Sequence, residues 1–246
     1  LRKKIERIQE GSLTDAPEVP VALGIAAIDG ALPWGGLKRG GLHEIGGTGS
    51  AGFGFHAALL RRAAGDKGRI LWCQHGRWLR ETGLPYGPGL SAFGLAAGQF
   101  LFVRAEKDKD VLWAMEEGLR MGGLAAVVGD GVSADFTATR RLQLAAESSN
   151  TIGLALRRWR RQTEAGDFGQ PTASITRWRV SVLPSRPLPV PGLGRARWLV
   201  ELIRCRAGES ADFEVEACDD TGRLALPSEV ADRSPQKEIG RRIASG

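Results

Sequence analysis

The glycine spacing between Glu44 and Ala63 is typical of loops that hold phosphate groups. This stretch reads EIGGTGSAGFGFHAALLRRA and predicts a short buried strand, a glycine-rich turn and a helix. Helix N-termini bind phosphate because their first backbone N–H groups have no partner within the helix. Which ligand such a turn can hold depends on the side chains that follow its glycines.

The dinucleotide-binding pattern G-x-G-x-x-G is met by Gly47, Gly49 and Gly52 in this strand–turn–helix setting. A dinucleotide site also requires an acidic residue at the end of the next strand, where it bonds the ribose hydroxyls. Here the next strand ends in Cys-Gln-His at residues 73–75, with no carboxylate. The sequence therefore disfavours a dinucleotide cofactor.

The Walker A pattern G-x-x-x-x-G-K-[ST] is half met. Gly47 and Gly52 have the required spacing, but Phe53 stands at the lysine position and Gly54 at the serine or threonine position. The lysine contacts the β- and γ-phosphates and the hydroxyl holds magnesium, and neither replacement can do so. We predict that the turn keeps its backbone shape, binds no nucleotide cofactor and supports no ATP hydrolysis.

Asp130 ends the apolar run LAAVVGD, which is where a Walker B acid would bind magnesium. Because position 54 carries no hydroxyl for the same metal ion, we interpret Asp130 as a helix cap or a hydrogen-bond partner of the loop backbone. The three cysteines lie far apart, without a CxxC pair or a His/Cys cluster, so no metal site is predicted.

Apolar runs alternate with helical patterns from Val21 onward, which predicts an α/β fold with a mostly parallel sheet flanked by helices on both faces. The predicted strands span residues 42–47, 69–74, 99–105, 124–130 and 151–157, and the predicted helices span 54–65, 108–122 and 133–150. Asp108 or Asp110 is predicted to cap the second of these helices. Later runs at 173–185, 196–206 and 211–220 alternate more strongly and lie closer together, so we predict antiparallel strands toward the C-terminus.

We divide the chain into an N-terminal helix and linker (1–20), one domain (21–227) and a flexible tail (228–246). Leu1, Ile5 and Ile8 form an i, i+4, i+7 stripe on the first helix, which needs a surface to pack against. A partner protein and the chain's own domain are both candidates for that surface. No apolar run is long enough to cross a bilayer, and the sparse cysteines suit the cytoplasm.

The net charge of +6 is unevenly placed. Residues 157–206 contain eleven arginines and three acids, so this segment alone carries +8. Such a block favours an acidic partner, most often nucleic acid. The alternative is an arginine-rich surface that faces only water.

With these pieces in place, the chain resembles the RecA superfamily and, within it, the ImuA (inducible mutagenesis protein A) family. The resemblance covers residues 20–225 and is carried by LPWGGLKRGGLHEI, RRLQLAAE and TRWRVSVLPS. It implies a RecA-like fold and a role in damage-induced mutagenic DNA synthesis with an ImuB-type polymerase-like protein and an error-prone replicative-type polymerase subunit. RecA and single-stranded DNA are further partners that it suggests.

The resemblance also places two sites. His75 falls at or beside the position of the water-activating glutamate of an active recombinase, and without the lysine and hydroxyl we interpret it as structural. The second DNA loop falls at RRWRRQTEAGDFGQ, residues 157–170. There Arg157, Arg158, Arg160 and Arg161 surround Trp159, so we predict phosphate contacts by the arginines and base stacking by the indole. A solvated loop and a surface for an acidic protein are the alternatives. In TRWRV, strand alternation puts Arg177 and Arg179 on one face and Trp178 in the core.

The function that unites these observations is a non-catalytic RecA-like adaptor, not an enzyme, in translesion synthesis. A cell-division inhibitor of the SulA type is one alternative, because it is also a RecA-related fold without a nucleotide site. A nucleotide-dependent recombinase is the other, and it would require ATP-stimulated filaments on single-stranded DNA.

Overall fold

The computed structural model describes residues 19–159, 168–185, 194–217 and 224–225, with the side chains of 48–51 left out. The six α-helices of this part are α1 (Ala26–Ala31), α2 (Gly49–Ala64), α3 (Gly76–Thr82), α4 (Gly87–Ser91), α5 (Asp108–Met121) and α6 (Phe136–Ser149). The eight strands are β1 (Leu42–Thr48), β2 (Ile70–His75), β3 (Phe100–Ala105), β4 (Ala126–Asp130), β5 (Ile152–Trp159), β6 (Thr176–Leu183), β7 (Arg197–Cys205) and β8 (Ala211–Glu216).

All eight strands form one sheet in the order β3-β2-β4-β5-β1-β6-β7-β8. The first six of that order pair in parallel, and β7 and β8 are antiparallel to their neighbours. The mostly parallel sheet with antiparallel strands toward the C-terminus is thus confirmed. Because β1 lies between β5 and β6, its carboxyl end and the start of α2 lie beside the carboxyl ends of those two strands, and β4 is one strand further.

An apolar cluster covers each face of the sheet, as the near-continuous apolar strands require. On one face, α2 contributes Phe55, Leu59 and Leu60, which pack with Trp72 and Trp178. The second cluster, beneath α5 and α6, is built from Val111, Met115, Leu119, Val127 and Leu142. Trp178 is fully buried, as the alternation of TRWRV predicts. No helix of the described ranges is long and apolar enough to cross a membrane.

Some sequence predictions about local structure are wrong. Lys107 is the N-cap of α5 and makes no side-chain cap, whereas Asp108 and Asp110 lie inside its first turn. The Asp108 carboxylate instead accepts the Ser133 N–H, which ties α5 to the loop after β4. Strand β5 continues two residues beyond Arg157, because it pairs with β1 as far as Trp159. Helices α3 and α4 were not predicted, since five to seven residues give too short a pattern to read.

Candidate functional site

The prediction of a separate glycine-rich turn is wrong, because the strand runs to Thr48 and the helix starts five residues before its predicted start at Gly54. Helix α2 begins at Gly49, directly after the strand. A Cβ at Gly47 would lie 2.7 Å from the Val180 carbonyl oxygen and 3.1 Å from the Gly52 Cα. The two Walker glycines are therefore in backbone contact, and a side chain at position 47 would overlap the backbone of β6.

The positions that would serve a triphosphate are filled by aromatic rings. A Cβ at Gly54 would lie 2.6 Å from Trp198 Cζ2, so the indole of β7 occupies the space of a Walker hydroxyl. The Phe53 ring packs on Trp72 with 6.0 Å between ring centroids. These residues do not fit magnesium–ATP, because nothing replaces the lysine and no hydroxyl can be placed for the metal.

Asp130 is fully buried at the end of β4 and forms an ion pair with Arg158. The guanidinium donates from Nε to Oδ1 at 2.5 Å and from Nη2 to Oδ2 at 3.1 Å. Trp72 Nε1 donates to Oδ2 at 3.2 Å. Burial raises the pKa of the Asp130 carboxyl, and the Arg158 charge and the donated hydrogen bonds oppose that rise. The interpretation of Asp130 as a helix cap or loop-backbone partner is wrong, since these contacts are all to side chains.

Arg158 lies where the turn, β4 and α3 meet. Its Cζ is 5.8 Å from the centroid of the Phe53 ring and 5.9 Å from that of the Trp78 ring. Burial lowers the pKa of His56 to about 3, and the Arg158 charge is the second, smaller cause of that lowering. A fixed cation therefore stands beside the degenerate turn, and its charge is taken up by Asp130 rather than by a ligand.

His75 caps α3. Its Nδ1 accepts the Arg77 N–H at 3.0 Å, and its Nε2 lies 3.9 Å from Asp108 Oδ1. This cap fixes the start of the helix, so the geometry agrees with the structural interpretation of His75.

The arginine segment, residues 157–161, is divided by the structure. Arg157, Arg158 and Trp159 belong to β5, while Arg160 and Arg161 lie outside the described residues. Trp159 is 6% exposed and packs on Phe168 with 5.3 Å between ring centroids. The prediction that its indole stacks on bases is therefore wrong in this arrangement, because the side chain is buried against Phe168 and Gly46. The physical reason is that residue 159 lies on strand β5 and not on a loop, and strand alternation turns its side chain into the core.

Most of the positive block is paired within the protein. Among the described residues, six arginines of the block have carboxylate partners. Four pairs are close, namely Arg158–Asp130, Arg177–Glu44, Arg179–Glu201 and Arg197–Glu214, and two are longer, namely Arg157–Glu44 at 3.7 Å and Arg206–Glu147 at 3.8 Å. All of these carboxylates except Glu201 lie outside residues 157–206, so counting charges along the segment overstated its surface charge. Arg204 and Arg206 donate to the backbone oxygens of Thr172 and Ala173.

A polar cleft of about 230 Å³ opens at the carboxyl ends of β2, β4 and β5. Its walls include Arg77, Trp78, Arg157 and the Gly131–Ser133 backbone. Arg77 is the most exposed cation there, with 53% of its side chain accessible, and it lies over the Trp78 ring. Arg77, which also pairs with Glu81, lines the cleft together with Arg157 and Arg158, and guanidinium groups are the side chains that bind phosphate. The sequence did not single out Arg77 or Trp78, because helix α3 was not predicted.

The candidates at the two ends of the chain lie outside the residues that the structure describes. Leu1, Ile5 and Ile8 lie outside the described residues, as does the tail from 228 onward. Among the residues that are described, no cluster of three or more His, Cys, Asp or Glu side chains could hold a metal ion.

Comparison with known proteins gives two kinds of similarity. The chain is 35% identical over 247 aligned residues to Protein ImuA of two Caulobacter vibrioides strains, NA1000 / CB15N and ATCC 19089 / CIP 103742 / CB 15, and the alignment covers 94% of this chain and 98% of each relative. Its structure is similar to the crystal structure of the RadB recombinase, with a TM-score of 0.56 and 14% identity, over 85% of this chain and 100% of that one. At this identity the second likeness concerns the fold. No family model matches the chain.

Proposed function

The chain belongs to the ImuA family, and from that premise we propose that it is a non-catalytic RecA-like adaptor in damage-induced mutagenic translesion DNA synthesis. In this proposal the protein acts in the cytoplasm and brings together an ImuB-type polymerase-like protein and an error-prone replicative-type polymerase subunit, with RecA as a further candidate partner. It uses no nucleotide cofactor and contacts single-stranded DNA through the arginine segment.

The observation that supports the adaptor function best is that the nucleotide turn is filled by the protein's own side chains. Trp198 stands in the space of the Walker hydroxyl at Gly54, and Phe53 replaces the lysine. Asp130 is bound by Arg158 instead of being open to a metal ion. A RecA-like protein without a usable triphosphate site retains surfaces for partners, which is what an adaptor requires.

The experiment that tests the adaptor function measures binding of the chain to an ImuB-type partner with and without magnesium–ATP. We expect the two dissociation constants to agree within about twofold, because a ligand that does not bind has no coupling free energy with the partner site. Calorimetric titration with magnesium–ATP alone is the control. Binding of magnesium–ATP at micromolar affinity, or an ImuB-type partner that does not bind at all, contradicts the proposal.

A separate prediction concerns DNA. Replacing Arg157, Arg158, Arg160 and Arg161 by alanine should weaken binding of single-stranded DNA and flatten its salt dependence. Each lost phosphate contact lowers the slope of log K against log salt by about 0.7. Because Arg158 also pairs with Asp130, a second variant changes only Arg160 and Arg161, and its slope should fall by about 1.4.

The matched control for the double variant is Lys67→Ala with Arg69→Ala. These two exposed cations lie at the amino end of β2, at the opposite edge of the sheet. We expect the control to bind DNA with the wild-type slope. Equal slopes for all variants and wild type would eliminate the DNA contact, and wild-type protein without salt-dependent DNA binding would favour an inhibitor of the SulA type.

A further inference from the structure

A groove with a partly apolar lining runs between α5 and α6, on the face of the sheet opposite α2. Its volume is about 500 Å³, and Leu112, Trp113, Ala138 and Leu142 contribute its apolar surface. Trp113 is 63% exposed, although tryptophan is a large apolar residue that is highly buried on average. All residues that line the groove are described, and the described part of the chain leaves most of this indole uncovered.

One end of the groove is acidic. Both helices begin at the carboxyl edge of the sheet, because α5 follows β3 and α6 follows β4, and both strands run parallel to β2 between them. At this edge the groove is lined by two acids, Asp110 and Asp135, and by one cation, Lys109. This acidic end therefore favours a positively charged segment.

The other end of the groove is basic. Glu116 lies six residues after Asp110, which is about 9 Å along α5. Its carboxylate is only 4% exposed and pairs with both Arg120 and Arg141, whose side chains are 57% and 61% exposed. Two accessible guanidinium groups thus share one buried acid, and this basic end favours a negatively charged group.

The first ten residues of the chain, LRKKIERIQE, have the complementary pattern. They lie outside the described residues, so the match is one of sequence. The apolar stripe of Leu1, Ile5 and Ile8 falls on one side of the predicted helix. Three cations stand at positions 2–4, opposite charges follow each other at positions 6 and 7, and Glu10 stands at the end. A helix of this sequence matches the groove when its first turn lies at the acidic end.

The chain enters the domain near the C-terminal end of α6. Val21 exchanges two backbone hydrogen bonds with Leu37. Three residues later, Gly40 lies against the end of α6, because a Cβ there would be 3.5 Å from the Cα of Asn150, the C-cap of that helix. The basic end is therefore the end of the groove that is nearer to the entry of the chain.

The linker is long enough to join these two places. Arg141 lies nine residues before Asn150, which is about 14 Å along the helix. The three residues from Leu37 to Gly40 add at most about 11 Å. Residues 11–20 can span up to about 33 Å when extended. Connectivity thus allows the end of the ten-residue segment to lie at the basic end, which is the orientation that the charges favour.

We propose that residues 1–10 dock as a helix in the α5–α6 groove of their own chain. The apolar stripe then covers Trp113, the cations of the first turn lie beside Asp110 and Asp135, and Glu10 lies beside Arg141. The contact goes beyond the adaptor function, since it requires neither DNA nor a second protein. It also chooses between the two surfaces that the sequence leaves open for the stripe, a partner protein and the chain's own domain.

The first test measures how fast a thiol in the groove reacts with a water-soluble maleimide. The full chain carries Ala138→Cys, with Cys218→Ser to remove a thiol outside the described residues, while Cys73 and Cys205 are buried. Adding Ile5→Asp and Ile8→Asp should raise the labelling rate at position 138 by about tenfold, because the charged stripe no longer covers the groove.

The matched control places the thiol on the opposite face of the sheet. Ser91 is exposed at the end of α4, whose Leu90 packs in the apolar cluster beneath α2. With Ser91→Cys in place of Ala138→Cys, the changes at Ile5 and Ile8 should leave the labelling rate unchanged. Equal rates at position 138 with and without these changes overturn the proposal. Protection that grows with protein concentration also overturns it, because the occupant is then a second copy.

The second test is a disulfide trap. The pair Ile5→Cys and Ala138→Cys, again with Cys218→Ser, is treated with a mild oxidant and run on a non-reducing gel. We expect a monomer of altered mobility that reverts on reduction, and no such band for the control pair Ile5→Cys and Ser91→Cys. A disulfide-linked dimer assigns the groove to a second copy, and an unbridged monomer leaves the groove without this occupant, so either result overturns the proposal.

Discussion

Replacing Asp130 by alanine is expected to lower the free energy of unfolding by about 3–5 kcal/mol. The carboxylate is fully buried and it neutralises Arg158, whose own side chain is 18% exposed. Without Asp130 the guanidinium stays between the Phe53 and Trp78 rings with no counter-charge. Trp72 Nε1 also loses its acceptor. Urea denaturation of wild type and variant at pH 7 measures the difference.

This result separates the present turn from a working ATPase, in which the Walker B acid serves the magnesium ion and its loss costs catalysis. A double-mutant cycle of Asp130→Leu, Arg158→Met and their combination isolates the pair, and the combined variant should regain most of the stability that Asp130→Leu loses. Asp130→Ala with wild-type stability would contradict the account of Asp130 as the internal partner of Arg158.

The fold was predictable because its signals are local. Buried apolar runs separated by amphipathic helices define a parallel sheet, and the change to alternating runs after residue 173 indicates antiparallel strands. The order of strand and helix around the Walker glycines was equally readable, but the separate turn was not found, because the helix begins at Gly49 directly after the strand. Asp135 caps the start of α6 and Gly65 follows the end of α2, which are the usual residue preferences at helix ends.

The side chains that fill the site were not predictable, because they come from distant parts of the sequence. Trp198 fills the space at Gly54 across 144 positions of sequence, and no periodicity links the two residues. Ion pairs could not be predicted for the same reason, because Arg177 and Glu44 meet only through the pairing of β6 with β1. A count of charges along one segment therefore could not show that most of its described arginines are engaged.

Acidification provides the second large effect. From pH 8 to pH 5 the free energy of unfolding should fall by about 4 kcal/mol through His43 and His56 together. Burial lowers the pKa of His43 to about 4, with the bond to the Lys38 carbonyl opposing it, and lowers that of His56 to about 3. Both rings stay neutral in the folded protein at pH 5, while the unfolded chain takes up protons below its ordinary pKa of about 6.5. Stability therefore rises with pH across this window, since the unfolded state binds more protons.

The His56→Phe variant removes the share of this pH-dependent loss of stability that comes from His56. Within the described residues both His56 ring nitrogens lack hydrogen-bond partners, and the ring packs on Trp72 with 5.4 Å between centroids. Phenylalanine keeps the ring contact and removes the titratable group, so the fall between pH 8 and pH 5 should shrink by about 2 kcal/mol. His43 has no such apolar replacement, because Nδ1 bonds Thr176 Oγ1 at 2.7 Å and Nε2 bonds the Lys38 oxygen at 3.0 Å. Because other groups titrate alike in wild type and variant, the difference between their two pH profiles belongs to His56. Parallel profiles would mean that His56 is protonated in the folded protein, against the burial and the Arg158 charge that surround it.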